Sequence, residues 1–127
     1  MKILVVDDEN DLRESFVEFI NLETDSCVDQ CSNGEEAFRY CSLDEYDLIL
    51  LDYRMPKMTG LQLIKELRRT KNKNLLSSTI VLLSGFVEEI EIEVLEGEKI
   101  LFRDKPIRPN EFLDLILYVS QAISTAA

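Results

Sequence analysis

Residues 3–6, 48–51, 80–83 and 100–102 form four short apolar runs, each closed by polar or charged residues. They are too short for helices, which need roughly ten residues or more. Continuous rather than alternating apolarity marks strands buried on both faces, the pattern of a parallel sheet. A fifth, weaker run at 27–31, with Val28 among polar neighbours, suits an edge strand.

The segments between the runs have helical spacing. Leu12, Phe16, Phe19 and Ile20 fall on one stripe. Ser32 and Glu35 have the spacing of a capping box, and Ala37, Phe38 and Cys41 supply an apolar face behind it. Leu61, Leu63, Ile64 and Leu67 mark a third helix after Gly60, and Phe112, Leu115, Ile116, Val119 and Ile123 mark the last, with Pro109 and Asn110 as its starters. Residues 86–98 are ambiguous, because Glu89 to Val94 alternate with period two. A crossover between parallel strands needs about a dozen residues and usually a helix, so the order predicts a short fourth helix there. The sum is βα five times over, a doubly wound α/β chain with a five-stranded parallel sheet in a three-layer α/β/α sandwich. Ligands in such sheets sit beyond the carboxyl ends of the strands.

Composition narrows the function. With 46% hydrophobic and 31% charged residues, the chain reads as one domain over 1–127. Roughly two-thirds of its unfolded surface can be buried, so no disulfide or structural metal is required. A net charge of −11, from 25 acidic and 14 basic residues, disfavours direct binding to nucleic acid or an anionic bilayer. Cys27, Cys31 and Cys41 form no C-x-x-C pair and there is no histidine to complete a zinc site, so they read as buried free thiols of a reducing cytoplasm. The first apolar run is far shorter than a signal-peptide core or a membrane span, which also points to the cytoplasm.

The residues after the strands carry the chemistry. Asp7 and Asp8 follow the first, Asp52 the third, Ser84 the fourth, and Lys105 with Pro106 the fifth. Singly each has a structural explanation: a helix cap, a strand end, a solvated charge. Jointly they place three carboxylates, a hydroxyl and an ammonium at one edge. Carboxylates held together repel one another unless a cation is present. Magnesium, with manganese as an alternative, takes oxygen ligands and retains waters, so these side chains plus a carbonyl suffice. One carboxylate is then free to attack phosphorus, with Lys105 and Ser84 on the remaining phosphoryl oxygens.

With Val5-Val6-Asp7-Asp8-Glu9, Leu50-Leu51-Asp52, Met55-Pro56, Gly60, Ser84-Gly85 and Lys105-Pro106, the chain resembles the receiver domains of two-component response regulators over essentially its whole length. The resemblance implies a flavodoxin-like strand order 2-1-3-4-5 and a phosphorelay function. Asp52 is then the phosphoacceptor, receiving phosphate from a sensor histidine kinase or phosphotransfer protein. Asp7, Asp8, Asp52 and the backbone carbonyl of Arg54 would hold magnesium, and the domain would catalyse its own phosphorylation without a metabolic substrate. It further implies Ser84 as the switch hydroxyl, Lys105 as ion-pair partner, a cis Lys105-Pro106 bond, and Phe102 as an aromatic that rotates inward. Phe102 also reads as plain core, and Gly60 either as a backbone requirement of the site loop or as a helix start.

Arg54 and Phe86 stand where the family flanks the phosphoryl group, and their bulk suggests hindered hydrolysis; Arg54 equally reads as a solvent-facing side chain. The acidic run from Glu88 to Glu98 falls on the family's output face, formed with the fifth strand and the last helix, through which homodimers also form. A solvated face explains such a run as well. Two other functions remain open: a phosphohydrolase passing through an aspartyl phosphate, and an interaction module that is never phosphorylated. Whether the chain is a stand-alone regulator or part of a longer one is open too.

Overall fold

The computed structural model describes residues 1–69, 78–85 and 100–126. The strands are β1 (Lys2–Val6), β2 (Cys27–Cys31), β3 (Leu48–Asp52), β4 (Thr79–Ser84) and β5 (Ile100–Asp104). The helices are α1 (Asn10–Glu23), α2 (Gly34–Leu43), α3 (Gly60–Arg69) and α4 (Pro109–Ala126). All strand pairs are parallel, in the order β2-β1-β3-β4-β5. The doubly wound α/β/α architecture is therefore as expected. The helix expected over 86–98, with Phe86 and the acidic run, lies outside the described residues.

Strand periodicity divides the core in two. Leu4, Val6, Ile49, Leu51, Ile80 and Leu82 face one side, with α2 and α3; Ile3, Val5, Leu48, Leu50, Val81 and Leu83 face the other, with α1 and α4. Burying apolar side chains on both faces explains why β1, β3 and β4 read as unbroken apolar runs. It also fixes register, since a one-residue slip would exchange the two faces. That register sets Val6 beside Leu51, Asp52 beside Leu83 and Ser84 beside Asp104, so the strand ends finish level.

Two local expectations are corrected. The cap of α2 lies one residue later than the Ser32–Glu35 spacing suggests: Asn33 Oδ1 accepts from Glu36 N–H at 2.9 Å. Glu36 reaches back to the Ser32 hydroxyl at 3.3 Å and the Asn33 amide at 3.2 Å. The later frame satisfies more polar groups while Ala37 and Cys41 stay buried. Cys27 is exposed rather than buried, because it opens an edge strand, while Cys31 and Cys41 are buried as free thiols. The last helix holds all five residues expected to mark it, with Phe112, Leu115, Ile116 and Val119 buried and Ile123, near its end, 41% exposed.

Gly60 is required by packing. A Cβ there would lie 2.8 Å from the carbonyl oxygen of Asp52 and 2.6 Å from Leu82 Cδ1. The Gly60 N–H donates to the Tyr53 carbonyl at 2.8 Å, so α3 starts directly against the end of β3. Gly60 opens the helix, as one reading of the sequence has it, and its second role is close packing that lets the helix approach the site strand. Gly60→Ala is expected to lower unfolding stability by about 1–3 kcal/mol in urea titrations, the usual cost of forcing atoms into a filled core. An unchanged midpoint would show that the approach is not tight.

Candidate functional site

The level strand ends bring the expected residues together. Asp7 and Asp52 are buried, Asp8 is exposed, and each offers a carboxylate oxygen within 4.8 Å of the others. Lys105 bridges two of them: its Nζ is 3.2 Å from Asp52 Oδ1 and 3.4 Å from Asp7 Oδ2. The Lys105 N–H donates to the Ser84 carbonyl at 2.9 Å, which ties the lysine's backbone to the last residue of β4. The Lys105-Pro106 bond is cis, as the resemblance implies.

Each carboxylate has local reasons to stand where it does. The Asp7 N–H continues the ladder to the Cys31 carbonyl at 3.2 Å, and Asp7 Oδ1 accepts from the Glu9 N–H at 2.9 Å. Asp7 thus also supports the approach to α1, whose N-cap residue, Glu9, makes no side-chain capping bond. Asp52 closes β3 and accepts a hydrogen bond from the Arg54 N–H. After it the chain turns sharply: Lys57 has φ 70° and the Met58 N–H donates to the Pro56 carbonyl at 2.8 Å. That turn lays Met58 on α2, where a Cβ on Gly34 would lie 2.7 Å from the Met58 sulfur. A cleft lined by Asp8, Ser32, Asn33, Pro56 and Met58 opens beside the acidic group.

Burial pushes the Asp52 carboxyl up to about 6; the Asp7 charge acts in the same direction, while Lys105 and the Arg54 N–H oppose it. For Lys105, burial pulls its pKa down, but attraction to Asp52 and Asp7 and hydrogen bonds to both outweigh it, so the net shift is upward. Among the described residues, one ammonium stands beside three carboxylates, which leaves them short of positive charge. The donor set, all oxygen and partly open to solvent, suits a hard divalent cation.

Of the other expected residues, Ser84 is buried at the end of β4, and Phe102 is half-buried against the core face containing Leu82. Arg54 is exposed beside Asp52. Sequence reasoning passes over Arg13, whose Nη1 donates to the Asp7 carbonyl at 2.9 Å. The available signal is that Arg13 is the one basic residue of an otherwise acidic α1.

The family described as the response regulator receiver domain matches residues 3–117, which include Asp7, Asp8, Asp52, Ser84 and Lys105. The cyclic di-GMP phosphodiesterase response regulator RpfG of Xanthomonas campestris pv. campestris is 33% identical over 112 residues, 87% of this chain and 29% of that protein. The transcriptional regulatory protein SrrA of Staphylococcus aureus is 32% identical over 111 residues, 87% of this chain and 44% of that protein. The chain thus spans less than half the length of either relative. A CheY-like response regulator receiver domain from Methylobacillus flagellatus superposes with a TM-score of 0.80 at 25% identity, covering 94% of this chain and 98% of that one. The N-terminal domain of a Wolinella succinogenes protein superposes with a TM-score of 0.83 at 24% identity, covering 100% and 98%, a likeness of fold alone. Among the described residues no helix is long and apolar enough to cross a membrane.

The raised Asp52 pKa predicts a pH dependence. Without a cation, the folded protein holds the Asp52 proton more tightly than the unfolded chain does, whose ordinary value is 3.8. The associated stability is therefore complete below about pH 4 and lost as pH rises through about 6. In chelator, unfolding titrations between pH 4 and 7 should show the wild type losing on the order of 2 kcal/mol relative to Asp52→Asn. Parallel curves for the two proteins would contradict the shift.

Proposed function

The chain belongs to the response regulator receiver family, and on that basis we propose that Asp52 is its phosphoacceptor, served by a magnesium ion bound at Asp7, Asp8, Asp52 and the backbone carbonyl of Arg54. The observation that carries this reading is Lys105 Nζ lying 3.2 Å from Asp52 Oδ1 and 3.4 Å from Asp7 Oδ2, beside three carboxylates close enough to share one ion. The domain is a switch that takes part in its own phosphorylation, not an enzyme with a metabolic substrate. The donor is the phosphohistidine of a sensor histidine kinase or phosphotransfer protein, the partner that membership of the receiver family supports; with no histidine among these 127 residues, the phosphoryl group comes from another molecule, and a small acyl phosphate can supply it too.

The bound ion supplies charge neutralisation for the carboxylates and a Lewis-acid contact for a phosphoryl oxygen. The residues do the rest. Asp52 must be ionised to attack, and with its pKa at about 6 it is largely so at neutral pH. One of its carboxylate oxygens forms a bond to phosphorus while the bond from phosphorus to the donor imidazole nitrogen breaks. The bonding pair leaves with that nitrogen, and because the donor reacts with its other ring nitrogen protonated, neutral imidazole departs. Lys105, held beside Asp52, offsets charge on the transferred oxygens. Phosphorylation replaces the single charge of the Asp52 carboxylate with a phosphoryl charge of about −1.5 to −2, so the site gains up to about one negative charge beside Lys105. Ser84, whose carbonyl accepts from the Lys105 N–H, would follow that change as the switch hydroxyl. Phe102, half-buried at the register of Leu82, would then move inward and alter the face made by β5, α4 and the helix expected over 86–98. That face is the proposed homodimer and output surface. The net charge of −11 argues against direct nucleic-acid binding, and three free thiols suit a reducing cytoplasm without membrane attachment.

Incubation with acetyl phosphate and magnesium should add one phosphoryl group to the wild type and none to folded Asp52→Asn. Retained labelling of Asp52→Asn would move the nucleophile, and failure of the wild type to label would favour an interaction module. Arg54 stands beside Asp52, so Arg54→Ala should shorten the phosphoryl lifetime severalfold; an unchanged lifetime would assign Arg54 to solvent.

A further inference from the structure

Every polar atom of Asp7 is engaged. Its N–H donates to Cys31, Oδ1 accepts from Glu9, and Oδ2 faces Lys105. The last atom, the carbonyl oxygen, accepts from Arg13 Nη1 at 2.9 Å. Arg13 is itself held, because its Nε donates to Gln30 Oε1 at 2.9 Å. Gln30 lies in β2 opposite Val5 of β1. The guanidinium therefore spans from the edge strand to the acidic loop.

The Asp7 carbonyl belongs to the planar peptide that joins Asp7 to Asp8. Fixing that plane fixes the direction in which Asp8 leaves it. Asp8 is the exposed member of the three carboxylates, so packing constrains it less than Asp7 or Asp52. We propose that Arg13 is a positioning residue for the cation site, acting through the Asp7 carbonyl to hold Asp8 in the arrangement a divalent ion requires. This rests on the reading of the three carboxylates as a cation site. Arginine suits the task because its rigid fork offers several donors and makes strong charge-assisted bonds, whereas a lysine ammonium is a point charge on a flexible stem.

The sign of the effect separates positioning from its rivals. A guanidinium near a divalent cation repels it, so an effect of charge alone would make the ion bind more tightly once Arg13 is removed. A role limited to fastening α1 on β2 would alter stability and leave cation affinity unchanged. Positioning predicts weaker binding. Groups that orient metal ligands commonly contribute 10- to 100-fold to affinity.

The test is Mn2+ binding, read from the paramagnetic resonance of the free ion, for the full chain and for Arg13→Ala, Arg13→Lys and Gln30→Ala. Folding of each is first verified by thermal unfolding in chelator. Arg13→Ala should bind roughly tenfold more weakly, the lower end of the range for such groups. Arg13→Lys should recover only part of the loss, and Gln30→Ala should weaken binding by a smaller factor. The magnesium concentration for half-maximal labelling by acetyl phosphate should rise by a larger factor than the maximal rate falls. Wild-type or tighter affinity in folded Arg13→Ala would overturn the proposal. If Arg13→Ala does not fold, unchanged affinity in Gln30→Ala, altered at an exposed position, would overturn it instead. Absence of Mn2+ binding by the wild type would strike the cation site itself, a different result from equal binding by wild type and variant.

Discussion

Three carboxylates within 4.8 Å of one another, answered among the described residues by one ammonium, are the constraint on which the rest of this structure depends. Like charges at such spacing are costly in a partly buried setting; the rise of the Asp52 carboxyl to about 6 comes first from burial, with the Asp7 charge adding to it. A fold concerned only with stability would place other residues there. Under the proposed function the incomplete charge is what makes the arrangement useful: a cation would complete it, and a phosphoryl group would then change it. The local cost in stability would serve binding and phosphorylation.

The parallel sheet makes the constraint bearable. Asp7 follows β1, Asp52 closes β3 and Lys105 follows β5, so each charged side chain comes from a separate strand whose register is fixed by two apolar faces. Residues that touch no substrate hold the geometry from behind. Gly60 lets α3 meet the Asp52 carbonyl, Met58 ties the loop after β3 to α2, and Arg13 links the Asp7 peptide to β2. The hydrogen bond from Lys105 to the Ser84 carbonyl puts the ammonium and the end of β4 on one connected piece of backbone. Under the proposed function a change of charge at Asp52 would pass through this link to β4 and β5, the side of the sheet to which the output face is assigned.

Most of the fold was legible because burial on both faces writes itself into the sequence as unbroken apolar runs, and strand order followed from the family resemblance. The site was legible for a related reason. A sheet of this kind collects whatever follows its strands, so Asp7, Asp8, Asp52, Ser84 and Lys105 could be grouped from position alone. Features that depend on side-chain reach were not. Ser32 and Asn33 are both good caps, and only the reach of Glu36 decides between them. Cys27 and Cys31 look alike in sequence, yet one opens an edge strand and the other enters the core. Arg13 carries no motif, because its role lies in a bond to a backbone oxygen six residues earlier.

The central claim is that the nucleophile is Asp52 and no neighbouring group. Borohydride reduces an aspartyl phosphate to homoserine, so reduction of the freshly phosphorylated protein followed by peptide mass mapping reads the site directly. The account predicts homoserine in place of Asp52 and unmodified Asp7 and Asp8. Reduction at Asp7 or Asp8, or a borohydride-resistant phosphate on Ser84, would contradict it.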